Sequence, residues 1–396
     1  MMRKKTPPSA GYSQAAKTVL QEGTSRVQEM HRAIAGHSFQ LLKSIPLVNG
    51  PAQLVQQAHD AIAGGVYAAI RQGGGGLLEI AGAIEKHVTT AGTDTPHSPP
   101  EPPNRLASAV RSALNAAFGD HLADTHSVLA IQMGLYVGGS PVALEPAALS
   151  RAYPNVGQRL CLFIHGLGFN ERCWENRQSK GDDRIDMPNQ LAADTDYTIL
   201  TLRYNSGLPI ADNGAQLSDL LGELIQVWPG SVRELVLVGH SMGGLLAHSA
   251  CSQALGHGND WPARTRMVIC LGSPHLGSPL ERLGQLTTSA LRLSTVTEPL
   301  ARVAASRSQG IQDLRHGLAQ PTPEAANIAW RFIGGSLTED PDNPLSEIIG
   351  DGLVTLGSAT SHDPSGDRQS IRLGGLGHME LLSDARVYAQ IRAWLA

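Results

Sequence analysis

The run Glu234-Leu-Val-Leu-Val-Gly-His-Ser-Met-Gly-Gly244 carries an apolar segment straight into a serine, with Gly239 and Gly243 at i−2 and i+2 of Ser241. A serine that is to act as a nucleophile must be lifted clear of the backbone to where a base can reach it. A chain that leaves a strand, reverses sharply and enters a helix within a few residues achieves this, and it brings positions i−2 and i+2 together. Both then favour a residue without Cβ. Leu235, Val236, Leu237 and Val238 supply the strand, and Leu245-Leu-Ala-His-Ser-Ala-Cys251 has the composition of the helix. The bland reading of the pentapeptide is a plain strand-end turn; its flanks favour the nucleophile elbow. Serine is a weak nucleophile near neutrality, so acyl transfer at this site requires a base, a group that orients the base, and donors for an oxyanion.

Candidates for each lie elsewhere in the chain. Arg159-Leu-Cys-Leu-Phe-Ile164 reads as a buried strand ending in His165-Gly166-Leu167-Gly168. Two backbone N–H groups usually hold the oxyanion. The residue after the nucleophile, Met242, supplies one, and Leu167, in the loop after the earlier strand, supplies the other. His165, Gly166 and His240 adjoin these donors and are expected to contact substrate. Downstream, Ile348-Ile-Gly-Asp-Gly-Leu-Val354 places Asp351 in a glycine-flanked turn, and Gly374-Gly-Leu-Gly-His-Met379 presents His378 on a glycine-rich loop. The order Ser241, Asp351, His378 is the one such an elbow uses. His378 would take the serine proton and return it to the leaving group, while Asp351 fixes the imidazole tautomer.

With 15 histidines in the chain, position matters more than presence. His240 is next to the nucleophile, but neighbours on an elbow project apart. His275, in Gly272-Ser-Pro-His-Leu-Gly277, reads as shaping its own loop. His362 is the strongest rival base, with Asp363 beside it, yet Ser361-His-Asp-Pro-Ser-Gly-Asp367 has the character of a solvated turn. Asp363 and Asp367 are the rival acids, since acidic turn residues are common.

On these motifs (Ile164-His-Gly-Leu-Gly168, Val238-Gly-His-Ser-Met-Gly-Gly244, Leu271-Gly-Ser-Pro-His-Leu-Gly277, Gly350-Asp-Gly-Leu-Val354 and Gly377-His378), the segment from residue 128 to 396 resembles an α/β-hydrolase. More narrowly, it is similar to serine esterases and lipases with a short His-Gly-X oxyanion turn and to the GPI-inositol-deacylase-like lipase branch. The resemblance implies carboxylic-ester hydrolysis through an acyl-enzyme, with no metal and no organic cofactor. It reaches about two thirds of the chain and leaves the first hundred residues unmatched. The same machinery serves a thioesterase or acyltransferase, and a catalytically silent scaffold of this fold is the reading from another class; a complete triad argues against the last.

Composition is consistent with this reading. The 396 residues, 41% hydrophobic and 17% charged, suit a globular protein with a large core, and a formal charge of −4 sets up no field to draw nucleic acid. Arg3-Lys-Lys5 is followed by no apolar core of a secretory signal, and no apolar run approaches the roughly 18 residues that span a bilayer. Cys161, Cys173, Cys251 and Cys270 lack C-x-x-C spacing. A cytoplasmic enzyme acting on an acyl or lipid-like ester is the expectation, with the oligomeric state left open.

Along the chain, residues 1–10 read as a disordered start and 11–92 as an alanine- and glutamine-rich helical region suited to packing against protein. Residues 93–105 form a Pro-rich linker, and 106–396 the catalytic domain, opening with a helix at 106–118. A strand expected at 128–137 turns through Gly138-Gly-Ser-Pro141 into an antiparallel hairpin. Strands and helices then alternate, the pattern of a mostly parallel eight-stranded sheet covered on both faces. The leucine-rich stretch at about 278–325 is too long for a simple crossover and is expected to form a helical cap over the site. Ser383 is expected to cap a closing helix whose stripe is Val387, Ile391 and Leu395.

Overall fold

The central strands are apolar at nearly every position because both faces of their sheet are covered. The computed structural model describes residues 105–124, 126–127, 129–175, 184–257, 259–278, 308–317, 327–360 and 366–396. In chain order these hold α1 (Arg105–Asp124), β1 (Gly134–Val137), β2 (Ser140–Val142), α2 (Pro146–Ala152), β3 (Arg159–Ile164), α3 (Met187–Asp194) and β4 (Tyr197–Arg203). There follow α4 (Ile210–Val227), β5 (Glu234–His240), α5 (Met242–His257), β6 (Thr265–Leu271), α6 (Gln309–His316), β7 (Ala329–Gly335), α7 (Pro344–Ile349), α8 (Leu356–Thr360), β8 (Arg368–Leu373) and α9 (Ala385–Leu395). Ser112–Ala396 forms one unit.

Among the described residues eight strands make one sheet in the order β2-β1-β4-β3-β5-β6-β7-β8. The β1–β2 and β1–β4 pairings are antiparallel, and every pairing from β4 to β8 is parallel. Side chains alternate across a strand, and the two cores follow that alternation. Leu160, Leu162, Leu235, Leu237, Val268 and Cys270 pack on one face with Leu217, Leu221 and Leu224 of α4 and with Leu246, Ala250 and Cys251 of α5. Cys161, Phe163, Val236, Val238, Met267 and Ile269 pack on the other, against Met187 and Leu191 of α3 and Val387, Ile391 and Leu395 of α9. The parallel strands therefore deliver their carboxyl ends to one edge, where the loops that could carry chemistry collect.

Three local expectations are corrected. The strand anticipated from Val128 begins only at Gly134. Before it, the fully buried Asn115 of α1 donates from Nδ2 to Leu129 C=O (2.9 Å) and accepts at Oδ1 from Ile131 N–H (2.9 Å), so these backbone groups bond a helix side chain rather than a neighbouring strand. The closing helix is capped by Asp384 and not by Ser383: the Asp384 carboxylate accepts from Arg386 N–H at 2.8 Å. The opening helix is also longer than the 106–118 expected. The N-terminal helical region, the linker up to residue 104, the rivals His362 and Asp363, and residues 279–307 and 318–325 of the expected cap lie outside the described residues.

Candidate active site

β5 ends at His240, and Ser241 follows with φ +55°, one of two non-glycine residues with positive φ among those described. The left-handed conformation costs an L-residue about 1–2 kcal/mol. Its neighbours hold it there: Ser241 N–H donates to Leu271 C=O (2.8 Å), at the end of β6, and Ser241 C=O accepts from Gly244 N–H (3.1 Å) as α5 begins. The flanking glycines answer to two different contacts. A Cβ on Gly239 would lie 2.5 Å from the carbonyl carbon of Gly243, the crowding anticipated from the spacing, whereas a Cβ on Gly243 would lie 2.7 Å from His165 C=O in the loop after β3. Ser241 is half-buried, and Met242, the first residue of α5, has an N–H with no acceptor inside the helix.

Asp351 and His378 meet at the neighbouring strand ends. Asp351 follows α7 in a turn carried by Gly350 (φ +58°) and Gly352 (φ +92°). Its Oδ1 accepts from Leu353 N–H (3.0 Å) and Val354 N–H (2.8 Å), which leaves Oδ2 for His378 Nδ1 at 2.7 Å. His378 N–H donates to Asp351 C=O (3.0 Å), and the loop leading to it is tied down by Leu376 N–H on Ser336 C=O (2.7 Å). Both side chains are at least nine-tenths buried. They border the nucleophile's support: a Cβ on Gly272, next to the Leu271 carbonyl that Ser241 uses, would lie 3.0 Å from Asp351 Oδ2 and 3.2 Å from His378 Nδ1.

The loop after β3 abuts the elbow from the other side. A Cβ on Gly166 would lie 3.1 Å from Ser241 Cβ. Leu167 packs with Met242, Leu245, Ile210 and Leu314, the last on α6 within the stretch expected to form a cap. α6 is fixed by Asp313, whose carboxylate accepts from Ile210 N–H (2.8 Å), and by Ser278 N–H on Leu314 C=O (3.0 Å). Sequence reasoning missed the residues that hold this loop in place. Tyr204 OH donates to His165 C=O (2.9 Å) and its ring stacks on the His165 ring (4.4 Å between centroids), while Ser206 Oγ accepts from Gly168 N–H (3.0 Å). Their one signal is position, directly after β4, whose end must neighbour the end of β3.

The His165 and His240 side chains, expected near the substrate, are both buried. The His165 ring is fully buried; Nδ1–H donates to Gly166 C=O (2.9 Å) and Nε2 accepts from Tyr204 N–H (3.4 Å). Burial, then the Arg203 charge, lowers its pKa to about 3 against the Gly166 hydrogen bond, so it stays neutral. His240 is 1% exposed and bonds His378 C=O through Nε2 (3.0 Å); burial first, then the His378 charge, likewise lowers its pKa to about 3. Both rings therefore lie in the interior, His165 directly after β3 and His240 as the last residue of β5. Of the rivals, His275 donates from Nδ1 to Ser273 C=O (3.0 Å) in its own loop, and Asp367 is paired with Arg331 (2.9 Å) at the start of β8.

Among the described residues no three His, Cys, Asp or Glu side chains gather as a metal site, and no helix is long and apolar enough to cross a membrane. A family model described as "Alpha/beta hydrolase family" matches residues 161–391. No curated protein matches the chain. Solved structures similar to it include the mature form of the lipase BlEst2 of Bacillus licheniformis, at 20% identity over 61% of this chain and 92% of that one, with a TM-score of 0.43. Others are the naproxen esterase (carboxylesterase NP) of Bacillus subtilis, at 12% identity over 60% and 84% with a TM-score of 0.34, and the RedJ thioesterase of the prodiginine biosynthetic pathway in Streptomyces coelicolor, at 16% identity over 65% and 91% with a TM-score of 0.37.

Proposed function

The chain belongs to the α/β hydrolase family, and from that premise we propose that it is a serine hydrolase that cleaves carboxylic esters through an acyl-enzyme. The observation that carries this reading is the left-handed Ser241 at the end of β5 beside the 2.7 Å Asp351–His378 pair. In the proposed cycle Ser241 Oγ attacks the ester carbonyl and His378 Nε2 takes the hydroxyl proton. Asp351 Oδ2 keeps Nδ1 protonated and stabilises the imidazolium that forms. The N–H groups of Leu167 and Met242 hold the oxyanion of the tetrahedral intermediate, a donor of this kind being worth about 3–4 kcal/mol of transition-state stabilisation. The carbonyl re-forms, the C–O bond breaks, and the alcohol leaves with the proton from His378. Water, deprotonated by His378, then adds to the acyl-enzyme; the acyl C–Oγ bond breaks as His378 returns that proton to Ser241 Oγ, and the acid leaves. Leu167, which would supply one donor, packs on the buried apolar cluster of Ile210, Met242, Leu245 and Leu314, and this supports a fixed position for that donor.

A fluorophosphonate probe tests the reading directly. Wild type should label and Ser241→Ala should not. Turnover of a p-nitrophenyl ester series should exceed that of acyl-CoA thioesters in kcat/KM, and His378→Ala should lower kcat by a factor of at least about 10². Absence of labelling in folded wild type, or labelling that survives Ser241→Ala, would remove the proposal; higher kcat/KM on the thioesters would replace it with a thioesterase.

A further inference from the structure

We propose that His240 is a positioning residue: its imidazole anchors the main chain of His378 so that the base faces Ser241, and it takes no part in moving the proton. The inference rests on the serine-hydrolase reading and adds to it a residue that holds the base without touching substrate.

The chemistry of the two partners fixes the direction of the contact. His240 Nε2 lies 3.0 Å from the His378 carbonyl oxygen. A carbonyl only accepts, so Nε2 carries the proton and Nδ1 carries the lone pair. Nδ1 is buried and has no partner among the described residues. It lies next to Gly166, where a Cβ would be 3.2 Å away. A general base needs its lone pair toward the hydroxyl proton and a path to return it. His240 instead spends its one N–H on a main-chain carbonyl and hides its lone pair. It remains neutral at working pH because of burial.

The bond matters because of what else holds His378. The residue is reached through Gly374-Gly-Leu-Gly377, whose backbone is held by Gly375 N–H on Thr338 C=O (2.8 Å), Leu376 N–H on Ser336 C=O (2.7 Å) and Gly377 N–H on the Glu380 carboxylate (2.6 Å). Its N–H and its Nδ1 are both taken by Asp351, at 3.0 and 2.7 Å. Both ties to Asp351 lie on the acid side. His240 supplies the tie on the carbonyl side, from the residue directly before the nucleophile, so one contact couples the base loop to the elbow. The two rings lie 4.7 Å apart, and the edge of Trp174 (6.3 Å) flanks His240. A leucine or methionine would suit this apolar site without leaving a buried nitrogen unpartnered. That an imidazole stands there, neutral and with an unused acceptor, points to its donor as the reason.

The test uses the full-length chain as wild type, His240→Leu, His240→Gln and His240→Asn, with folding checked by circular dichroism and thermal midpoint. Gln places an amide N–H at about the reach of imidazole Nε2; Asn is one methylene short. For p-nitrophenyl butyrate, His240→Leu should lower kcat by about tenfold or more while KM stays within about twofold, because a slightly misaimed base costs rate and not binding. His240→Gln should recover most of that loss and His240→Asn should not. The Gln–Asn comparison stands by itself if the Leu variant does not fold. Wild-type kcat in folded Leu or Asn variants overturns the inference, and so does a folded Gln variant as slow as Leu, which would assign the role to the imidazole itself. A folded wild type that neither labels with fluorophosphonate nor turns over ester overturns the hydrolase reading, and this one with it. An active wild type with active Leu and Asn variants overturns only this one.

Discussion

Lowering the pH from 7 to 5 should destabilise this fold through two imidazoles alone. His165 and His240 are buried, with pKa values lowered to about 3, whereas in the unfolded chain each returns to about 6.5. Between those values the unfolded state binds a proton at each ring that the folded state refuses. Stability is therefore complete above pH about 6.5 and is lost as pH falls toward about 3. At pH 5 each ring is about 1.5 units below its unfolded value, and at about 1.4 kcal/mol per unit that is about 2 kcal/mol per histidine, or about 4 kcal/mol for the pair. Urea unfolding followed by tryptophan emission reads the relevant unit, because all five tryptophans lie within residues 112–396. His240→Gln removes one of the two titrations and leaves the carboxylates and other histidines in place. The wild type should lose about 2 kcal/mol more than the variant between pH 7 and 5, a difference of about 0.7 M in midpoint for a slope near 3 kcal/mol/M. Midpoints of the two proteins that fall in parallel across that window would refute the claim that His240 is held neutral by burial.

Two further substitutions probe the framework. Gly239→Ala sets a methyl group against the carbonyl carbon of Gly243 at 2.5 Å, all of it backbone, so it should lower stability by about 1–3 kcal/mol or more and depress fluorophosphonate labelling, measured by urea midpoint and labelling rate. Arg203→Met strips the bidentate partner (2.6 Å at both contacts) from the buried Glu171 carboxylate and should cost about 3–5 kcal/mol in the same assay, with Glu171→Leu added to it recovering much of the loss.

What could be read from the sequence, and what could not, divides by the range of the forces involved. The elbow was legible because its constraint is local: Gly239 and Gly243 are needed wherever a strand turns this tightly into a helix. The sheet was legible because burial on both faces leaves continuous apolar runs such as residues 235–238 and 267–271. Asp351 and His378, 27 residues apart and hydrogen-bonded at 2.7 Å, could be picked out because glycine-flanked polar residues after strands stand out against an apolar background. The segment at 129–131 was misread as strand because its backbone partner is the side chain of Asn115, on a helix at least 14 residues earlier, and hydrophobic pattern does not encode such a partner. Ser383 and Asp384 are adjacent and both can cap; which one does so depends on where the chain leaves the single helical turn at Glu380–Leu382.

His165 and His240, expected among the substrate contacts, have buried rings. Sequence adjacency to Gly166 and Ser241 fixes how far each ring is from the chemistry along the chain, but alternation decides which side it occupies, and both went inward. Their interior placement nonetheless serves the same edge of the sheet: His165 ties the loop after β3 to Tyr204, and His240 ties the base loop to the elbow. A left-handed serine at any pH, and two buried imidazoles once the pH falls below about 6.5, cost the folded state stability, and all three sit at the carboxyl ends of β3 and β5. They persist because the strands beneath them are buried on both faces, and removing a large aliphatic side chain from such a core costs about 2–5 kcal/mol. The acid sensitivity predicted for the fold and the geometry proposed for the base therefore share one origin, the exclusion of water from beneath the elbow. Protonation of His240 would remove its lone pair but keep its Nε2–H, so if the proposed site loosens in acid before the whole unit unfolds, the cause is the burial of charge and not loss of the His240–His378 contact.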